Sequence, residues 1–319
     1  MAARRMAARR MAVICLVCLI LWRVPGRAGA VSTADAVEPI SPEQSCSLTL
    51  SYGCNGLVFA NIPVQLYRIA EVSAEARYTL TPDFQNMGLE LNGIQTNGEW
   101  DVVRATLEAH ILASGIAPDY VSATDAGGQA SFADLMPGLY LVAAAHTEQE
   151  GWHYSFRSAL IALPGLDEGG LWLYDIVTTP KPDILPPSEF QELHYQVLKL
   201  WKDQGSEEKR PPSIEVEIFR NGESQETVAL SEENNWSYRW TVPADGAHWQ
   251  VVERNIPEGY VLTVEDRTTT IVLINSIPKD PLDNPQTGDS ANILLAVVLL
   301  NLSGAGLITL GLLRKRYTA

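Results

Sequence analysis

Between Leu193 and Ser276 the chain repeats one pattern. Short runs in which apolar and polar residues alternate are closed by turn signals: "LHYQVLKLW", "SIEVEIFRNGE", "ETVALSEENNWSYRWTV", "HWQVVERNIPEGYVLTVE" and "TTTIVLINS". Alternation with period two places successive side chains on opposite faces, which suits a strand with one buried face and does not suit a helix. Asn-Gly at 221–222, Asp-Gly at 245–246 and Pro-Glu-Gly at 257–259 break the runs where chain reversals belong. Runs this short and this evenly punctuated predict an all-β sandwich over residues 193–276.

Within those runs, "VLKLWKD", "RPPSIEVEIFRNG", "NNWSYRW", "VVERNIPEGY" and "IVLIN" resemble the B-type repeat of collagen-binding adhesins. The resemblance covers the whole segment. It implies a prealbumin-like β-sandwich closed by a self-formed amide between a Lys in the first strand and an Asn in the last, assisted by a Glu. Matched motif by motif, these residues are Lys199, Asn275 and Glu253. The chemistry needs all three types. An amine buried among Val197 and Trp201 loses its charge to desolvation and becomes nucleophilic. A buried carboxyl is driven towards its neutral form and can polarise the amide and relay protons as ammonia leaves. Lys202 is one register step from Lys199 and is expected to point outward.

The two ends read as sorting signals. Arg4, Arg5, Arg9 and Arg10 precede an apolar core from Met11 to Trp22, and "AGA" supplies small residues for cleavage after Ala30, so residues 1–30 read as a signal peptide. Cys15 and Cys18 leave with it. At the other end "NPQTG" precedes an apolar stretch, 291–313, which would span about 34 Å as a helix. A basic tail, 314–319, follows and holds that end inside. Pentapeptide, span and tail together resemble the cell-wall sorting signal of Gram-positive surface proteins. That resemblance implies sortase cleavage between Thr287 and Gly288 and transfer of the Thr287 carboxyl to a wall amine or a neighbouring pilin. Asn284, Pro285 and Gln286 resemble the motif of the second sortase class, whereas Gly288 fits the first. Membrane contact is then confined to the stage before sorting.

Proline-rich stretches divide what remains. A short leader, 31–45, precedes a first domain at 46–180. A linker follows at 181–192, then the second domain, and 277–290 carries the sorting motif. In the first domain, "TDAGGQASFADLMPGLYLV" and "GLVFANIPVQLYRIAEV" resemble strand signatures of the same sandwich family. The expected fold is therefore all-β, two tandem prealbumin-like sandwiches, the first with a helix-containing insertion. That helix is predicted over 99–114, with Trp100, Val103, Leu107 and Ile111 on one stripe, Asn97 as N-cap and Gly115 as the stop. No Lys occurs from Cys46 to Thr179, so a Lys–Asn amide is excluded there by composition. Cys46 and Cys54 could pair only if Gly53 folds the chain sharply back, because an extended run would hold them about 26 Å apart. Lys181, in "TTPKP", stands where shaft-forming pilins carry a nucleophilic lysine. A solvated linker lysine is the other reading of it.

With its ends removed, the chain loses nine of 23 basic residues but only one of 38 acids, leaving a net charge of −23. Such a surface repels nucleic acid and anionic lipid. The five His show no metal-ligand spacing, no phosphate loop or nucleophile elbow appears, and nothing calls for a cofactor. The sequence thus points away from an enzyme and towards a cell-wall structural or adhesive protein, a pilus subunit or a stalk. Its partners would be sortase, peptidoglycan, other pilin subunits and host or matrix ligands. A monomeric adhesin with its specificity in the first domain is the alternative, and a wall-anchored enzyme is the third class.

Overall fold

The computed structural model describes residues 38–186 and 191–278. Residues 1–30, read as a signal peptide, Asn284–Gly288, read as a sorting motif, and the apolar stretch 291–313 lie outside the described residues. Among those described, no helix is long and apolar enough to cross a membrane.

The protein is mostly β, as its alternating patterns predict. In chain order the first half carries β1 (Cys46–Ser51), β2 (Gly53–Cys54), β3 (Leu57–Val58), β4 (Pro63–Val72) and β5 (Tyr78–Leu80), then α1 (Asn97–Ser114). It continues with β6 (Tyr120–Ala123), β7 (Gln129–Leu135), β8 (Gly138–Ala144), β9 (Thr147–Gln149), β10 (Trp152–Phe156) and β11 (Ala159–Leu163). Two short strands, β12 (Gly165–Leu166) and β13 (Trp172–Leu173), lead to β14 (Asp175–Thr178) and β15 (Pro182–Leu185). The sheet β14-β1-β7 faces the sheet β11-β8-β4-β5, and Leu48, Leu50, Tyr52, Val64, Leu66 and Tyr140 fill the space between them. Inward and outward residues alternate along β1 as its sequence alternates.

The second half carries β16 (Glu192–Lys202), β17 (Ser213–Arg220), β18 (Glu223–Ser231), β19 (Ser237–Pro243), β20 (Trp249–Glu253), β21 (Val261–Arg267) and β22 (Thr270–Ser276). They form two sheets, β19-β16-β22-β21 and β18-β17-β20. Asn221 and Gly222 both take positive φ, 53° and 82°, as the tight β17–β18 reversal requires. First and last strands of this sandwich lie side by side, because β16 pairs with β22 in parallel.

The proline-rich stretch 181–192, read as a linker, contributes a strand. β15 pairs antiparallel with β10, Tyr154 opposite Ile184 and Phe156 opposite Pro182. Pro182 opens the strand, a position that proline tolerates in a sheet.

Helix α1 starts at Asn97, the residue predicted to cap it, two residues before its predicted start. Thr96, not Asn97, is the N-cap: its hydroxyl accepts from the Glu99 amide and the Glu99 carboxylate accepts from the Thr96 amide. This Thr-x-x-Glu box satisfies two amides reciprocally. Gly115 ends the helix in the left-handed region, φ 62°, as predicted. The stripe of Val103, Leu107 and Ile111 packs on Ile69, Leu139 and Leu141 of the first sandwich.

The helix also has a second buried face, which its periodicity does not announce. Ala105 and Ala109 pack into the core of the second sandwich with Val251, Val264 and Ile271. Their small side chains let the strands approach. Between them Thr106 accepts a hydrogen bond from the Val264 amide of β21 at 2.9 Å, so the helix occupies part of that edge strand's unpaired backbone. Arg104 is 3 % exposed and donates to Glu108 at 2.7 Å, with Asp266 of β21 at 3.5 Å.

Candidate functional site

The chemistry-bearing residues of the second sandwich sit in its interior, where their residue types are least at home. Along β16, Tyr195 and Val197 point inward and Lys199 continues that face at 4 % exposure, while Leu200 faces solvent at 47 %. A lysine in the apolar register beside an exposed leucine inverts the usual pattern, and burying an unpaired ammonium is costly. Lys202 is exposed, as its register predicts.

Asn275 enters from β22, which places it beside Trp201 and one inward position along from Lys199's partner Leu273. It is 0 % exposed. Glu253 arrives from the opposite sheet, on β20, and is 2 % exposed. Its carboxylate joins the other two. Lys199 Nζ donates to Glu253 Oε2 at 2.7 Å, and Asn275 Nδ2 donates to Glu253 Oε1 at 2.8 Å. Three residues far apart in sequence, on two sheets, therefore meet at one carboxyl group. Burial lowers the Lys199 pKa to about 8, and the neighbouring Glu253 carboxylate partly offsets that.

An aromatic wall closes the site. Lys199 Nζ lies 4.7 Å from the centre of the Trp201 ring, which Trp236 and Tyr260 hold edge-on at 5.3 and 5.2 Å. Behind it the Tyr260 hydroxyl donates to Asp203 Oδ2 at 2.7 Å, and Arg210 grips the same carboxylate with two bonds of 2.8 and 2.6 Å. The Arg210 and Tyr260 hydrogen bonds hold the Asp203 carboxyl at about 2, against the effect of burial. Sequence reading missed this clasp. Its signal was the short "WKD", which puts Asp203 two residues beyond Trp201 in a region where every second residue turns inward.

Other sequence candidates lie apart from this cluster. Lys181 is exposed, immediately before β15, on a cleft whose walls include Tyr195 and Trp249. Cys46 and Cys54, whose disulfide the sequence left open, are both free thiols. Cys46 opens β1 opposite Leu135, whereas Cys54 lies beyond that strand's other end, opposite Leu57 in the β2–β3 hairpin. The extended run between them keeps them apart. Burial, with Asp175 nearby, pushes the Cys46 thiol up to about 11, so it is inert as a nucleophile at neutral pH.

Residues 195–276 match the family model of the Cna protein B-type domain. Among curated proteins, the collagen adhesin of Staphylococcus aureus is 30 % identical over 156 residues, covering 42 % of this chain. The chain spans only 13 % of that relative's length. Among solved structures, a single B repeat unit of the collagen-binding surface protein of Staphylococcus aureus covers 74 % of this chain and 100 % of its own, at 16 % identity and a TM-score of 0.26. The full-length major pilin SpaD of Corynebacterium diphtheriae covers 74 % of this chain and 65 % of its own, at 13 % identity and a TM-score of 0.30.

Proposed function

We propose that this protein is a structural or adhesive subunit of a Gram-positive cell surface, attached to the wall by sortase at Thr287. In this reading its second sandwich is stapled by an amide between Lys199 and Asn275. The observation that carries it is the single buried carboxyl of Glu253, hydrogen-bonded to the lysine amine with one oxygen and to the asparagine amide with the other.

The reaction is a transamidation. Glu253 takes the ammonium proton of Lys199, which leaves a neutral amine beside a neutral acid. The amine attacks Cγ of Asn275, Glu253 gives its proton to Nδ2, ammonia departs, and Glu253 takes the proton released by the newly bonded nitrogen. Proximity replaces an external catalyst. A tryptic map of the full chain should contain the Lys199 peptide joined to the Asn275 peptide, lighter than their sum by about 17 Da, the mass of the ammonia lost. Separate, unmodified peptides in the protein as isolated would sink the reading.

A pH dependence follows. The reactive neutral pair carries the same number of protons as the ion pair, so bond formation should be level at neutral pH, below the Lys199 value of about 8. Above about pH 8, where the buried amine gives its proton to solvent, no proton remains for the departing ammonia and the rate should fall. The linked fraction after cell-free synthesis, quenched at intervals across this range, measures it. A rate that climbs steadily through pH 9 contradicts the relay.

The amide joins the strands where the chain enters and leaves the sandwich. Tension between wall and tip would then bypass the intervening strands, which suits a stalk or a pilus shaft. Wall digests should release a chain ending at Thr287 that carries wall peptide. Lys181→Ala should remove any high-mass ladder while leaving the monomer attached, if the exposed Lys181 links subunits. An intact 319-residue C-terminus on surface protein contradicts anchoring. Absence of a ladder in the unsubstituted protein assigns the alternative role, a monomeric adhesin with its ligand on the first sandwich.

A further inference from the structure

With Glu253 occupied by the lysine amine and the amide nitrogen, the asparagine carbonyl is left without a donor. Asn275 Oδ1 is shut off from solvent and has no hydrogen-bond partner. It is the one acceptor among the buried, unpaired side-chain atoms of the described residues. A carbonyl under attack gathers negative charge on its oxygen, and an amide, the least electrophilic of the acyl groups, needs that charge stabilised.

A second buried orphan has the opposite polarity. The Trp201 indole Nε1, a donor only, is also shut off from solvent and unpaired. Trp201 and Asn275 are direct partners in the parallel register of β16 and β22, so their side chains leave the same face of the sheet as neighbours. The ring's contact with Lys199 Nζ keeps it beside the nucleophile. Trp240 Nε1 is another buried donor without a partner, but Trp240 pairs with Tyr195, four residues along β16 from Lys199, and stacks there on Tyr195 and Tyr238.

We propose that the Trp201 indole N–H is the oxyanion donor of the amide-forming site, turning onto Asn275 Oδ1 as the tetrahedral adduct forms. This rests on the Lys199–Asn275 reading above and divides the labour within it. The lone pair of Lys199 Nζ bonds to Cγ, and the carbonyl π pair moves onto Oδ1, where the indole proton meets it. Glu253 moves protons from the attacking to the leaving nitrogen. The carbonyl re-forms as the Cγ–Nδ2 bond breaks and ammonia leaves. Trp236 and Tyr260, packed edge-on against the ring, keep it beside that carbonyl. The two orphans, each costly to bury unpaired, then satisfy one another when charge develops.

The test replaces Trp201 with benzothienylalanine, which keeps the ring's shape and puts sulfur where the N–H was. The full chain is made by cell-free translation, quenched at intervals and mapped for the linked Lys199–Asn275 peptide. Loss of one oxyanion donor lowers a rate by about 10²–10³, so the analogue should link that much more slowly while resisting protease as the Trp protein does. Trp201→Phe, which opens space as well, should be at least as slow. An analogue that links at the Trp rate overturns the donor role and leaves the Lys199–Glu253–Asn275 chemistry standing. If the Trp protein itself forms no link, both readings fall together.

Discussion

Asn275→Ala should unfold about 8–16 °C below the unsubstituted chain in calorimetry. The amide would close a loop of about 75 residues, and the loop-entropy relation developed for disulfides gives about 4 kcal/mol for a closure of that length, less any strain. For a chain of this size each kcal/mol corresponds to about 2–4 °C. Asn275→Ala removes the covalent link together with the Asn275 hydrogen bond to Glu253, but leaves the hydrogen bond between Lys199 and Glu253 in place. Lys199→Ala should fall further, since it removes the bond and also strands Glu253, only 2 % exposed, without its cation. Glu253→Gln keeps the shape and loses the relay, so it should fold with Lys199 and Asn275 unlinked. Lys202→Ala, on the exposed face, should leave melting temperature and peptide map unchanged. If Asn275→Ala melts with the unsubstituted protein, the site carries no staple.

Arg104→Ala should be nearly as damaging, for a reason unrelated to that chemistry. Arg104 is the cation of a buried group that includes Glu108 of the same helix and Asp266 of β21. Removing it leaves Glu108, itself 9 % exposed, as an uncompensated buried acid, and breaking a buried pair from one side costs about 3–5 kcal/mol. Arg104→Ala together with Glu108→Ala should recover much of that loss, because no stranded charge remains. The signature that ties the effect to the junction between the sandwiches is hydrogen exchange at the Val264 amide, which Thr106 of α1 accepts. Its protection should drop in Arg104→Ala and in Thr106→Val. Unchanged protection with a large stability loss would place the damage within the first sandwich alone.

The contrast between these two sites marks what each level of description decides. The sequence by itself determined the strands of the second sandwich, since period-two alternation and Asn-Gly or Asp-Gly breaks are local codes. The resemblance of "VLKLWKD", "VVERNIPEGY" and "IVLIN" to the B-type repeat singled out Lys199, Glu253 and Asn275, and the place of Lys199 on the apolar register of "YQVLKLW" agreed with it. Helix α1 and its stop at Gly115 were legible for the same local reason. Its cap moved from Asn97 to Thr96 once both halves of the Thr-x-x-Glu box could be seen to bond. The tertiary structure alone decided that α1 has two buried faces. Ala105, Thr106 and Ala109 carry no hydrophobic stripe, so only the strands packed against them reveal that face. It alone made a strand of Pro182–Leu185, whose pairing partner β10 lies about 30 residues upstream, and left Cys46 and Cys54 unpaired. And it alone set Trp201 beside Asn275. That neighbourhood depends on the parallel register between the first and last strands of the sandwich, a pairing fixed by the packing of both faces and written in neither strand by itself.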